Sequence, residues 1–277
     1  MQSVRRKQKI VRILLYALVF SLAFIVAFPF FWMILASFKD IKEFYVLKPK
    51  LFPEKFSFAN YTELVTKLNI PRYYLNSILV TTVQVLANVV IVLMAGYGFA
   101  KYQFRGKNFL FIMVLSSTMI PWVATIIPLY IMANNLHLVD TMMGLIIPGM
   151  ADAFSIFLAR NFISSVPTPL LEAARIDGGG ETKIFLKVVI PLIKPLISVI
   201  TIQKMVSSWN AFQWPLLVVN SDELRTLPLA IAKLSSQYYD AYNLKLAAAT
   251  LTIIPVLIVY IVFQKYIVEG VSLSGIK

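Results

Sequence analysis

Residues 13–38 run for seven helical turns without a single charged side chain, and five later stretches are nearly as apolar. A helix needs about 20 apolar residues to cross the hydrocarbon core of a bilayer. Inside lipid every backbone N–H and C=O must bond within the protein, which only helices and closed barrels achieve. Runs of this length select helices. The sequence predicts an all-α polytopic membrane protein with six transmembrane spans, at about residues 13–36, 73–100, 108–133, 142–163, 196–219 and 246–264. The chain is 59% hydrophobic and 14% charged, whereas a soluble domain has about 45–50% apolar and 25% charged residues. One packed core cannot absorb that excess, which excludes a soluble enzyme.

The first run follows a basic cluster, Arg5, Arg6, Lys7, Lys9 and Arg12. It is longer than the apolar region of a signal peptide, so it is expected to remain as the first span after a short N-terminal tail, residues 1–12. The formal charge of +13 would suggest nucleic acid in a soluble chain; here it is read as topology, with no nucleic-acid partner. Segments 1–12, 101–107, 160–195 and 265–277 hold fifteen Lys and Arg against four acids. The segments on the other side of the membrane, 39–72, 134–141 and 220–245, hold ten against eight. The difference, +11 against +2, places the first set and both termini in the cytoplasm, because basic residues are retained inside.

Cysteine is absent and His137 is the single histidine, so disulfides, thiolate metal sites and histidine clusters are excluded. No stretch fits the Gly-x-x-x-x-Gly-Lys-Ser/Thr phosphate loop. Any ATP must be held by another chain, and no enzymatic activity is expected of this one. Pro29, Pro121, Pro128, Pro148, Pro215 and Pro255 fall within the spans. Each removes a helical hydrogen bond, which membranes tolerate where neighbours satisfy the freed carbonyl. Gly96 and Ala100 suggest a close helix–helix approach.

The segment 164–195, SSVPTPLLEAARIDGGGETKIFLKVVIPLIKP, is the most informative. Thr168 fits an N-cap with Pro169 at the first helical position. A short helix through Ile176, a glycine turn at 178–180 and a second helix from Glu181, ended by Pro191 and Pro195, make a helix–turn–helix hairpin. An interfacial linker on lipid headgroups and a docking knob for a soluble partner fit its residues equally well.

Glu172-Ala173-Ala174-x-x-Asp177-Gly178, followed by Phe185, Pro191 and Pro195, resembles the EAA loop of ABC importer permeases. Gly179 stands where that pattern has alanine. Further marks are similar to the maltose-type carbohydrate branch: Phe56-Ser57-Phe58-Ala59-Asn60-Tyr61, Asn76-Ser77, Trp209-Asn210, Trp214-Pro215-Leu216, Thr226-Leu227-Pro228-Leu229, and the tail from Gln264. The resemblance implies a permease in a prokaryotic cell membrane. Beside it would sit a second homologous permease, two ATPase subunits carrying ATP and Mg, and an external solute-binding protein. It implies that Glu172, Ala173, Ala174, Asp177, Gly178, Gly180 and Pro191 couple to the ATPase. The cargo expected is a sugar or oligosaccharide; glycerol phosphate, or a secondary transporter or channel without ATPase, are the alternatives.

Asp152 and Lys204 are ionisable residues inside spans, where charge is costly and faces a partner or an aqueous path. Counted from the cytoplasmic ends of their spans they lie at similar depth, so they are expected to pair. The fifth span adds Ser207, Ser208, Trp209, Asn210, Gln213 and Trp214. Amides and hydroxyls bind sugar edges and aromatic rings their apolar faces, so Asp152, Lys204, Ser208, Trp209, Asn210 and Gln213 are the candidate substrate path. Trp214, near the outer end, also fits an interfacial belt.

Overall fold

The uncharged runs form helices, and no strand occurs among the described residues. The computed structural model describes the backbone of residues 2–48, 50–237 and 241–274 and the side chains of 8–48, 50–233 and 241–264. In chain order the principal helices are α1 (Gln2–Ala36), α2 (Ala59–Thr66), α3 (Ile70–Lys101), α4 (Lys107–Ser117) and α5 (Trp122–Asn135). Then come α6 (Met142–Gly149, its last turn 3-10), α7 (Ala153–Ser164), α8 (Thr168–Ile176), α9 (Glu181–Leu192) and α10 (Lys194–Trp209). The chain ends with α11 (Gln213–Val218), α12 (Leu227–Gln237) and α13 (Tyr242–Ser274).

Among the described residues three helices are long and apolar enough to cross a membrane: the Gln8–Ala36 part of α1, α3 and the Tyr242–Gln264 part of α13. Three bent pairs raise the number to six if each is one crossing: α4 with α5 at 102°, α6 with α7 at 41°, and α9 with α10 at 81°. The third and fourth expected spans are therefore broken helices. The fifth, 196–219, is interrupted between Trp209 and Gln213. Proline explains part of this. Pro121 stands at the N-cap of α5 and Pro148 in the last turn of α6, whereas Pro29, Pro128 and Pro255 lie inside helices that continue past them.

The chain divides into two units. The first comprises residues 1–69 and 231–253. In it α1 keeps its apolar surface outward, with Phe20 73% and Phe24 68% exposed. Where α1 ends, Phe38 packs its ring against Phe56, Phe58 and Tyr61. The buried Asn60 donates to the carbonyls of Ser37 (2.7 Å) and Lys39 (2.9 Å) and accepts from Asn243. The Phe56–Tyr61 motif is thus the clasp that turns the chain from α1 into α2.

The second unit comprises 70–230 and 254–277, and α3 is its axis. Gly96 lets α7 approach so closely that a Cβ there would stand 2.6 Å from the Ala159 Cβ. Ala100 lies at the margin of the same core, half-buried. At the other end of α3, Asn76 Nδ2 donates to the carbonyls of Glu223 and Arg225, and Ser77 Oγ accepts from the Leu227 N–H. Two motifs about 150 residues apart, Asn76-Ser77 and Thr226–Leu229, therefore dock on each other.

Candidate functional site

The segment 164–195 folds as two helical limbs around a glycine turn. The first limb begins one residue away from the expected place. Pro167, in extended conformation, is the N-cap of α8, and Thr168 is already helical with no side-chain cap. Proline's fixed φ in front of the helix serves where a threonine hydroxyl was expected. At the other end the Gly178 N–H bonds the Arg175 carbonyl and the Gly179 N–H bonds that of Ala174. This is a Schellman closure, which needs a left-handed residue at the first glycine; Gly178 has φ +78°. Gly179 lies so near the Ala174 carbonyl that a Cβ would stand 2.6 Å from it. The turn is tighter here than alanine at 179 would permit.

The second limb also departs from expectation. Pro191 does not end it. Phe185–Val189 form a π turn, the helix continues through Leu192, and the break falls at Ile193, with Pro195 in the first turn of α10. A π turn shifts the hydrogen-bond register by one residue, so a proline can follow it without interrupting the chain's path.

The inner face of the hairpin, Leu171, Ile184, Val189 and Ile193, is buried with Val92, Tyr97, Ile163 and Val166. The outer face is different. Glu172, Ala173, Asp177, Gly178 and Gly180 are exposed, Ala174 is half-buried, and Ile176 is 87% exposed. Neither Glu172 nor Asp177 has a side-chain partner among the described residues, so both carboxylates remain open to an external group.

A set of residues not singled out from the sequence holds the limbs in place. Arg175 Nε donates to Glu181 Oε1 at 2.7 Å. Tyr102 and Tyr97 donate their hydroxyls to Glu181 Oε2 at 2.7 and 3.2 Å. Arg175 first, then Tyr102, hold the Glu181 carboxyl down at about 2, against an opposing effect of burial. The Glu181 carboxylate in turn raises the Tyr102 phenol and the Arg175 guanidinium. Opposite charges flanking a glycine turn were the available sequence signal; the two tyrosines, some 80 residues away, offered none.

Away from the hairpin, α3, α5, α6, α7, α10 and α11 enclose a cavity of about 570 Å³. Asp152, Lys204, Ser208, Asn210 and Gln213 line it, as do Ser207 and Trp214. Trp209 does not. Its side chain is 2% exposed and its ring meets that of Tyr74 on α3 edge-on at 5.6 Å. Gln84 and Trp122, which nothing in the sequence marked, also line it.

The expected Asp152–Lys204 pair is not in contact: both residues face this cavity and attract each other across it, but no ion pair at contact distance joins them. Asp152 is the N-cap of α7: its Oδ1 accepts from the Ser155 N–H at 2.7 Å and its Oδ2 from Asn88 Nδ2 at 3.0 Å. A carboxylate held by a helix N-terminus and an amide has less need of an ammonium partner. Lys204 Nζ makes no hydrogen bond or ion pair among the described residues. Trp214 is no interfacial belt residue: it is 7% exposed and its Nε1 donates to the Gly144 carbonyl at 2.9 Å. The cavity offers one cation, one anion, amides, hydroxyls and an indole half-open at Trp122, 45% exposed. That chemistry suits a polyhydroxylated solute.

Known proteins place the chain in context. An arabinooligosaccharide transport system permease protein of Bacillus subtilis is 34% identical over 269 residues, 96% of each chain. A diacetylchitobiose uptake system permease protein of Streptomyces coelicolor is 32% identical, covering 93% of this chain and 86% of its own. A solved bacterial ABC transporter involved in import of the acidic polysaccharide alginate superposes with TM-score 0.84 at 26% identity, covering 95% of this chain and 98% of that one. The family pattern for binding-protein-dependent transport system inner membrane components matches residues 87–273. With hairpin, broken helices and family pattern in agreement, the chain belongs to the binding-protein-dependent transport system inner membrane components, the permeases of ABC importers.

Proposed function

We propose that this chain is one of two homologous permeases in an ATP-driven importer that takes a sugar or oligosaccharide from an external binding protein into the cytoplasm. The two permeases enclose the path, and two ATPase subunits carry ATP and Mg. Both termini lie in the cytoplasm, and the six crossings comprise three single helices (α1, α3 and α13) and three broken ones (α4–α5, α6–α7 and α10–α11), with α9 kept in the hairpin outside them.

The observation that carries this reading is the α8–α9 hairpin. Its inner face is anchored in the core, while Glu172, Asp177 and the exposed Ile176 have no partner among the described residues. A surface with two open carboxylates, an apolar tip and small residues at Ala173 and Gly180 fits a basic-rimmed cleft on the ATPase. Gly178 shapes the turn, and Pro191 follows the π turn that leads back to the membrane. ATP-driven closure of the ATPases would then move the hairpins and alternate access to the cavity.

The saccharide cargo is supported by the cavity lining and by what the related permeases are named for. Asp152 and Lys204 can accept from and donate to hydroxyls, Ser208, Asn210 and Gln213 can bond sugar edges, and Trp122 can meet a ring face. Trp209 supports the path from behind, against Tyr74. Among the described residues no arginine lines the cavity, which argues against a phosphate-bearing cargo, for which a bidentate guanidinium is the favoured ligand.

The test is affinity purification of the chain, mildly solubilised from its native membrane, with mass spectrometry of what accompanies it. A second permease plus an ATPase supports the proposal, and Asp177→Lys should then reduce ATPase recovery. A chain that purifies alone and still moves solute overturns it.

A further inference from the structure

Resting on the reading of α8–α9 as the ATPase docking hairpin, we propose that Glu181 is a positioning residue: it clamps the hairpin to α3, so that hairpin and α3 move as one body. The last turn of α3 and the residues after it grip both limbs. Lys101 Nζ donates to the carbonyls of Val166 (2.5 Å) and Ser164 (3.4 Å), just before α8. Tyr97 and Tyr102 donate to Glu181 at the first residue of α9. The other oxygen of Glu181 is held by Arg175, so one carboxylate joins α8, α9 and the end of α3.

Apolar contacts under the hairpin, such as Phe185 on Tyr97 with centroids 5.0 Å apart, are non-directional and permit sliding. Charge-assisted hydrogen bonds fix a geometry. The clamp matters because the covalent route from hairpin to cavity is a poor lever. Between Glu181 and Lys204 lie a π turn and an 81° bend.

The route through α3 has no such break, since residues 70–101 form one helix. Asn88 lies nine residues from Tyr97, about 14 Å along the axis. It holds the Asp152 carboxylate at the cavity, and one turn further Gln84 bonds the carbonyls of Leu145 and Ile146 beside the break in the fourth span. Hairpin displacement thus reaches the cavity through α3.

The chain has no cysteine, which permits paired spin labels at Thr168→Cys on α8 and Met94→Cys on the exposed face of α3. Their distance is measured in the intact importer, its other subunits made cysteine-free, without nucleotide and with ATP and vanadate. The expected result is one narrow distribution that does not shift with nucleotide. In Glu181→Ala, and in the Tyr97→Phe/Tyr102→Phe double variant, it broadens and shifts. Arg175→Ala, which leaves both tyrosine contacts, stays narrow.

The tyrosine double variant keeps the hairpin's own ion pair, so it decides the matter if Glu181→Ala fails to fold. An unchanged distribution in that double variant, or a wild-type distance that shifts with nucleotide, overturns the clamp. If no ATPase accompanies the chain, the docking reading fails by itself. The nucleotide-free comparison of wild type and double variant then still decides whether Glu181 holds the hairpin to α3.

Discussion

Trp214 Nε1 donates to the carbonyl of Gly144, and Gly144 is the residue whose helical partner would have been the N–H of position 148. Pro148 has none to give. The indole therefore satisfies a carbonyl orphaned four residues before a proline, in a part of the chain where water is not expected to substitute. Gln84 does the same for the next two carbonyls, Leu145 and Ile146. The break between α6 and α7 is held by side chains from α3 and α11.

Trp214→Phe should consequently leave the Gly144 carbonyl buried and unpaired, at a cost of about 1–3 kcal/mol. Adding Pro148→Ala restores a backbone donor and should recover part of that loss. Unfolding of the two single variants and the double variant in mixed micelles, analysed as a cycle, measures the coupling; additive losses would contradict the assignment.

The Gly96–Ala159 approach sets the spacing of α3 and α7. Gly96→Ala places a methyl group 2.6 Å from the Ala159 Cβ, and overpacking of this kind costs about 1–3 kcal/mol. Ala159→Gly in the same chain should recover part of it. The readout is the thermal midpoint of the detergent-solubilised protein.

Gly178 has φ +78°, a conformation that costs a residue with a Cβ about 1–2 kcal/mol. Gly178→Ala should destabilise the Schellman closure of α8 by that amount. Faster amide exchange at positions 178 and 179, whose N–H groups close the turn, is the expected signature, with exchange in α7 unchanged.

The Arg175–Glu181–Tyr102 cluster should be insensitive to pH in the physiological range. Glu181 has a folded-state pKa lowered from 4.5 to about 2. Its contribution is therefore fully present above the unfolded value and is lost as pH falls through the folded value. The difference in thermal midpoint between wild type and Glu181→Gln should stay constant from about pH 6 to 8 and shrink only below about pH 4.5. A difference that vanishes between pH 6 and 7 would refute the arrangement.

Much of the hairpin was legible because its punctuation is local. A proline near the start of α8, three glycines and a second limb with Ile184, Phe185, Val188 and Val189 on one face and Lys183 and Lys187 on the other each constrain a few neighbouring residues. The displaced details have physical causes that act beyond that window. Pro191 continues a helix because a π turn precedes it, and the N-cap moves to Pro167 because an extended proline suffices there. For the cavity, polar residues inside apolar runs were a sound guide to Asp152, Lys204, Ser208, Asn210 and Gln213. Trp209 misled because a residue's place in a polar run does not reveal which side of its helix it occupies. Gln84 and Trp122 escaped notice because their helices read as unremarkable apolar spans.

The sequence by itself determined the solvent, the class of fold, the count of apolar runs, the charge asymmetry and the hairpin. These follow from hydrophobicity, backbone satisfaction and local turn chemistry, which depend on neighbours along the chain. The tertiary structure alone decided that Asp152 answers to Asn88 and Ser155 rather than to Lys204, that Trp214 serves a carbonyl freed by Pro148, and that Glu181 joins the hairpin to α3. Each of these depends on a hydrogen bond whose partner is chosen by how helices pack, here across as many as 84 positions of the chain.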